Sequence, residues 1–298
     1  MPLNAYNSVF KGFHNFEISN CGTGGQGFEF LRAHHLKLQN MNLIKIENLN
    51  IDELKIYSQL RDNSFTKDNS FIADSPKVVN ILLQTDLEIK SILATTEYYD
   101  EYAHLIKEKK ISKLYVATKE LMQRIVGHKI HHNCMMHGVR PCANSLDSLG
   151  DNILMLDNIT SSENVGSIAR SMAGLGVGSY LLPSSSPHPY GRRALRVSMG
   201  YVSRLKVHIY NDIFSTISTL KEKGYKVFAA ELSENSIFLS EVEVPVKWIL
   251  LMGHEGKGLS EDILNVCDKV VQIEMDENVK SFNVGVAASI MMYRFKNV

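Results

Sequence analysis

Apolar residues in this chain first fall into a regular pattern at Met41. From there to about Gly150, short apolar runs alternate with amphipathic stretches: IDELKIYSQLRD, PKVVNILLQ, IKSILAT, YYDEYAHLIKEKK, KLYVAT and KELMQRIVG follow one another. Strand-like and helix-like segments taken in turn predict a small α/β domain over residues 41–143. The segment HNCMMHGVRPCANSLDSLG (132–150) is rich in turn-forming residues and is the expected linker.

A cleaner alternation follows. NILML (152–156), SYLL, LKVHI, YKVFAA, WILLM and KVVQI are predicted strands. VGSIARSMAGL, RRALRVSM, DIFSTISTLKEKG, LSEDILNVC and SFNVGVAASIMMYRF are predicted helices. Near-continuous apolar strands between amphipathic helices predict a parallel sheet covered on both faces, in a second α/β domain over 150–298. In such sheets ligands bind beyond the carboxyl ends of strands, so the loops after Leu156, Leu182, Met252 and Ile273 are where chemistry is expected.

Residues 1–40 show neither period and read as an irregular leader. Because patterned sequence begins at a methionine, Met41, the leader need not belong to the native protein. Its glycine cluster, Gly22 to Gly27, follows no strand, so phosphate binding is not expected there.

The length of 298 residues fits two domains of ordinary globular composition, 44% hydrophobic and 21% charged. Charge narrows the partners. The 32 basic and 32 acidic residues cancel, with 17 and 16 of them up to Gly150 and 15 and 16 beyond it, so neither half is polybasic and any nucleic-acid contact must be local. No apolar run reaches the ~20 residues of a membrane helix and no signal-peptide core is present, so a cytoplasmic protein without membrane contact is expected. Four scattered cysteines, Cys21, Cys134, Cys142 and Cys267, suit a reducing compartment.

Three loops could carry chemistry. In DNITSSENVGSIARSMAGLG (157–176), Ile168, Met172 and Leu175 form the expected buried stripe. Arg170 lies about 200° from Ile168 and points away from it, beside the small residues Gly166, Ser167 and Gly174. That side is either a solvated face or a place where a ligand or second subunit approaches closely. In LLMGHEGKGLSED (250–262), Gly253, Gly256 and Gly258 match neither a P-loop nor a dinucleotide fingerprint. Such a loop can offer bare amides to a flat ligand, with Glu255 as acceptor and Ser260 as helix cap. In IEMDENVKSFNVGVAASIMMYRF (273–295), Ser281 is the expected N-cap of the last helix, and Asn283 stands next to the small residues Gly285 and Ala288.

Between Leu182 and Asp212 the chain holds no acidic residue but contains Arg192, Arg193, Arg196, Arg204 and Lys206. This stretch reads either as a solvated face or as a basic patch for RNA phosphates, with Arg192, Arg193 and Arg196 as candidates. His131, His132, Cys134, His137 and Cys142 crowd together without the paired spacings of a zinc site, so no metal is expected.

Taken as a set, NxGxxxR (Asn164, Gly166, Arg170), GxEGxGLS (Gly253 to Ser260) and SxNVxxA (Ser281, Asn283, Ala287) resemble the three signature motifs of the SpoU family of RNA ribose 2′-O-methyltransferases, within the TrmH-like SPOUT superfamily. The resemblance covers residues 150–298. Residues 70–141 more weakly resemble that family's ribosomal-protein-like substrate-binding domain. The resemblance implies a trefoil-knotted parallel sheet binding S-adenosylmethionine mostly through main-chain groups, with the site completed across a homodimer. It implies cofactor contacts at Gly253, Ile273 and Phe282, with Leu182 nearby, and a catalytic set of Arg170, Asn164, Glu255, Ser281 and Asn283. Three departures stand out: the usual IPM reads IEM with Glu274, the glycine after it is absent, and SLN reads SFN with Phe282. The separate N-terminal domain and the lack of a long tail look more like the ribosomal RNA branch than the transfer RNA branch. A Rossmann-type methyltransferase and a non-catalytic RNA-binding protein of the same fold are the alternatives.

Overall fold

The computed structural model describes residues 41–47, 51–59 and 68–297; the leader and its glycine cluster lie outside the described residues. Strands β1 (Leu43–Lys45), β2 (Ser70–Asp74), β3 (Ile89–Ala94), β4 (Lys113–Val116) and β5 (Cys134–Val139) form one sheet in the order β1-β4-β3-β5-β2. β1, β4 and β3 run parallel, and β5 is antiparallel to both of its neighbours. Helices α1 (Pro76–Leu83), α2 (Thr96–Lys107) and α3 (Lys119–Val126) connect them, and IDELKIYSQLRD forms a 3₁₀ helix over Asp52–Ser58.

The segment expected to be a linker is corrected here, because its first part is an interior strand. Cys134, Met135 and Met136 of β5 are buried between β2 and β3. Gly138, which resembles a turn residue in sequence, leaves room for a ring: a Cβ there would sit 2.5 Å from Phe71 Cζ. His137 hydrogen-bonds Ser70 Oγ at 2.9 Å, and burial pushes the Cys134 thiol pKa up. Among the described residues, no three His, Cys, Asp or Glu side chains converge as metal ligands would, and no helix is long and apolar enough to cross a membrane.

The second sheet comprises β6 (Asn152–Leu156), β7 (Ser179–Pro183), β8 (Lys206–Tyr210), β9 (Lys226–Ala230), β10 (Ile237–Phe238), β11 (Trp248–Met252) and β12 (Lys269–Gln272). Its order is β10-β12-β9-β11-β6-β7-β8, with every pairing parallel. Ile153, Leu154, Met155 and Leu156 are fully buried, as are Ile249, Leu250 and Leu251 beside them. This is why these strands read as unbroken apolar runs. Five helices flank the sheet: α4 (Ser162–Leu175), α5 (Arg192–Val197), α6 (Ile213–Glu222), α7 (Glu261–Val266) and α8 (Val284–Lys296).

Two anchors seat the helices that matter for the site. Phe295 of α8 meets Trp248 and Phe228 edge to face, at centroid distances of 5.2 and 5.1 Å. Tyr180 of β7 donates from its hydroxyl to the carbonyl of Val165 at 3.0 Å and so fixes α4. Where α4 meets its neighbours, small residues set the distance. A Cβ on Gly166 would sit 2.6 Å from the Ala194 carbonyl of α5, and one on Gly285 of α8 would sit 2.6 Å from Ser167 Oγ. The small-residue stripes are thereby spent on packing within the chain at Gly166, Ser167 and Gly285, whereas Gly174 faces open space.

Candidate active site

The loops leaving β6, β11 and β12 at their carboxyl ends come together around the first turn of α4. Ser161 is the N-cap of α4, its hydroxyl accepting from the Asn164 amide at 3.3 Å. The loop after β11 folds back on itself through a bridge between His254 and Gly258, and two of its glycines are required by that fold. A Cβ on Gly253 would lie 2.7 Å from the Gly258 carbonyl carbon, and Gly258 holds φ +67° with the Glu231 carboxylate against it. From Gly256 to Leu259 the loop's amides are not bare, which narrows the expectation. Those of Gly256 and Lys257 donate to His254 Nδ1, that of Gly258 to the His254 carbonyl, and that of Leu259 to Glu231 Oε2. Ser260 occupies the N-cap position of α7 without a hydroxyl cap bond.

Glu255 reaches back to α4. Its Oε1 accepts from Asn164 Nδ2 at 2.9 Å and from the Ser161 amide at 3.3 Å, and its Oε2 accepts from the Thr160 amide at 3.3 Å. Burial raises the Glu255 pKa, but the Asn164 side chain and the surrounding amides outweigh it, and the net shift is downward. Asn164 Oδ1 in turn accepts from Asn283 Nδ2 at 3.1 Å. Asn283, not Ser281, is the N-cap of α8, its Oδ1 accepting from the amides of Gly285 at 2.9 Å and Val286 at 3.4 Å. The chain Glu255–Asn164–Asn283 therefore joins one residue from each of the three loops, across sequence separations of 91 and 119.

Beside this chain lies an open cavity of about 390 Å³ at the ends of β9, β11 and β12. Of the candidate residues, Gly253, Glu255, Ile273, Ser281 and Phe282 line it, whereas Asn164 and Asn283 do not line it and are joined to Glu255 by hydrogen bonds. Leu182 is buried inside β7, beyond β6, and does not line it. Sequence reasoning missed the segment after β9: Ala230, Glu231 and Leu232 form part of the wall, as does Met275. Recognising KVFAA as the strand between β11 and β12 would have located them.

Arg170 stands on the exposed side of α4, six residues or about 9 Å along the helix from Asn164, and does not line the cavity. The basic run has acidic neighbours in space that it lacks along the chain. Three of its four arginines find acids from other segments: Arg192 donates to Asp74 Oδ2 from Nε at 3.0 Å and from Nη2 at 2.6 Å, Arg196 pairs with the same carboxylate, and Arg193 pairs with Glu163. Asp74 is buried, which raises its pKa, yet the two guanidiniums prevail and hold it below the usual range.

Comparison with known proteins agrees with this arrangement. The SpoU rRNA methylase family model matches residues 151–293. A protein of Mycobacterium tuberculosis named an uncharacterized tRNA/rRNA methyltransferase is 30% identical over 185 residues, 60% of this chain and 64% of that one. A putative TrmH family tRNA/rRNA methyltransferase of Staphylococcus saprophyticus is 32% identical over 141 residues, 47% of this chain and 56% of the relative. The match thus spans less than two thirds of either relative. The crystal structure of an AdoMet-bound rRNA methyltransferase from Sinorhizobium meliloti superposes with a TM-score of 0.75 at 19% identity, covering 85% of this chain and 97% of that one. With three motif loops joined by one hydrogen-bond chain and a family match over the same residues, the segment 151–293 belongs to the SpoU methylase family.

Proposed function

We propose that this chain is an S-adenosylmethionine-dependent RNA methyltransferase acting on a ribose 2′-hydroxyl, with ribosomal RNA as its substrate and a homodimer as its working form. The observation that carries the reading is the Glu255–Asn164–Asn283 chain beside the cavity lined by Gly253, Ile273 and Phe282. The names of the matched relatives support RNA as substrate, and the Sinorhizobium structure, with its bound cofactor, shares the fold over 85% of this chain.

The cavity fits the cofactor in size and chemistry. Its volume lies in the ~300–1,000 Å³ range typical of small-molecule sites. Leu232, Met275 and Phe282 offer apolar surface, while Glu231, Lys280 and Ser281 offer polar groups. The main-chain N–H of Phe282 donates to no described residue and its carbonyl accepts from none, which suits a ligand held through backbone. A trefoil threading of the chain is part of the proposal, and the insertion of β11 between β9 and β6 supports it.

The cofactor supplies an electrophilic methyl group on a sulfonium sulfur. A ribose hydroxyl is a poor nucleophile, so the protein must align it and stabilise negative charge as it develops. Arg170 is the residue for that work. A guanidinium, with a pKa of about 12.5 or above, serves better as a paired donor to the adjacent phosphate and as an electrostatic stabiliser than as a base. Asn164 and Asn283 hold the loops in register through Glu255, and Ser281 presents its hydroxyl at the cavity wall. Arg170 lies away from the cavity of its own chain, which is why a second subunit is part of the reading. On α8, Val286 (47%) and Tyr293 (62%), seven residues and so about two turns apart, expose an apolar stripe suited to a partner.

Transfer of labelled methyl from S-adenosylmethionine to size-separated RNA lacking the modification tests this, with Arg170→Ala alongside. Label in a large RNA, reduced about a hundredfold in the variant with cofactor affinity retained, is the expected result. Label in the small RNA fraction would assign transfer RNA instead. Loss of cofactor binding in Arg170→Ala would remove Arg170 from its role, and a wild-type protein that binds no cofactor would return the non-catalytic reading.

A further inference from the structure

On the far side of the loop 254–258 from the cofactor cavity lies a second cavity of about 570 Å³, at the carboxyl ends of β6, β7 and β11. The two share only His254, Lys257 and Gly258 as a wall. None of the resemblances or comparisons assigns this space a ligand, yet its lining is built for one. Asp157, 8% exposed, lines it with a carboxylate of which only Oδ1 is satisfied, by Asn158 Nδ2 at 3.0 Å; Oδ2 takes no hydrogen bond among the described residues. That oxygen is reached by solvent and stands as an acceptor open to whatever enters the cavity.

The opposing groups have complementary polarity. His254 Nδ1 accepts from the amides of Gly256 at 2.9 Å and Lys257 at 3.2 Å, so in the neutral ring the proton sits on Nε2, which becomes a donor. Lys257 is exposed at the rim and forms no ion pair among the described residues. Asn158 is held at φ +53°, a conformation Asn tolerates, and its side chain accepts from Ser185 Oγ at 3.4 Å, which braces the loop after β6 against the loop after β7. Ile159 and Ile263 supply apolar surface to the same space.

One free carboxylate acceptor, one imidazole N–H donor, a cation at the rim and apolar walls match a nucleotide: the donor and acceptor on a base edge, its flat faces and its phosphate. We propose that this second cavity is a nucleotide subsite for the RNA, with Asp157 and His254 reading the base edge and Lys257 meeting a phosphate. The proposal rests on the methyltransferase reading, and it places substrate on the opposite side of the Gly253–Gly258 loop from the cofactor, against Thr160, whose amide donates to Glu255. Asp157 is here a specificity residue that takes no part in the transfer itself.

The test is binding of the four nucleoside 5′-monophosphates to the full chain, with and without S-adenosylmethionine, in wild type, Ser185→Tyr and Asp157→Asn. Ser185 is exposed and lines only the second cavity, so a tyrosine there fills the cavity without disturbing the core. The expected result is weak nucleotide binding that falls about tenfold or more in Ser185→Tyr, while cofactor affinity stays within about twofold. In Asp157→Asn, where an amide replaces the free acceptor, the order of preference among the four bases changes, which a merely structural aspartate would not produce. Nucleotide binding equal in wild type and Ser185→Tyr, with cofactor still bound, overturns the subsite and leaves the methyltransferase reading intact. A wild-type chain that binds no S-adenosylmethionine overturns both.

Discussion

Asn283 bonds in two directions at once: its Oδ1 caps α8 through the Gly285 and Val286 amides, and its Nδ2 donates to Asn164 Oδ1 at 3.1 Å. One side chain thus starts the last helix and ties it to the first motif loop. Aspartate caps a helix about as well as asparagine but has no N–H to donate. Asn283→Asp is expected to leave stability within about 1 kcal/mol of wild type while methyl transfer falls about tenfold. Asn283→Ala, which loses the cap as well, costs about 1 kcal/mol in urea denaturation.

Glu255 gives a signed dependence on pH. Its carboxyl is held below the ordinary 4.5 because the hydrogen bonds from Asn164 and the neighbouring amides outweigh burial. A depressed folded-state pKa means that the stabilisation is present above the unfolded value and is lost as pH falls through the folded one. Wild type and Glu255→Gln should therefore differ in stability by a constant amount from about pH 8 to pH 5, and the gap should close as the solution is acidified further. A gap that widened in acid would show that Glu255 is not ionised in the fold.

Tyr293 tests the second subunit. At 62% exposure on α8 it contributes little to the fold of one chain. Tyr293→Glu is expected to keep the thermal midpoint within a few degrees and the affinity for S-adenosylmethionine unchanged. Sedimentation should show the monomer, and methyl transfer should be lost.

Gly166 tests the packing of α4 on α5. A methyl group there meets the Ala194 carbonyl at 2.6 Å and Val197 Cβ at 2.9 Å, neither of which is the end of a flexible side chain. Gly166→Ala is expected to cost about 1–3 kcal/mol of overpacking, read from urea denaturation, whereas Gly174→Ala, with nothing within 4 Å, should be neutral or stabilising.

The parallel sheet and its three loops were legible because their signals are local: unbroken apolar runs for strands covered on both faces, and Asn, Gly, Arg and Glu at fixed offsets just beyond them. What escaped was set by distant partners. The arginines of the 182–210 stretch look unpaired along the chain, yet Asp74 arrives from 118 and 122 residues away. Cys134 to Val139 looks like a linker because its glycine and flanking polar residues resemble a turn, and only the Phe71 ring across the sheet explains Gly138. Ser281 and Asn283 are both good cap residues two positions apart, and the choice falls to Asn283 because Asn164 waits beside it. The loop after β9 carries no motif at all, and its place at the cavity follows from strand order alone.

That order also fixes when the site can exist. β11 slots between β6 and β9, strands already made when it leaves the ribosome, and Asn283 follows some thirty residues later, so a growing chain carries Asn164 for most of its second half with nothing to bond. Contacts of such long sequence separation form slowly. Sheet and site are therefore completed together, near the carboxyl end of the chain, and no amino-terminal fragment that lacks β11 and α8 can carry the assembled loops.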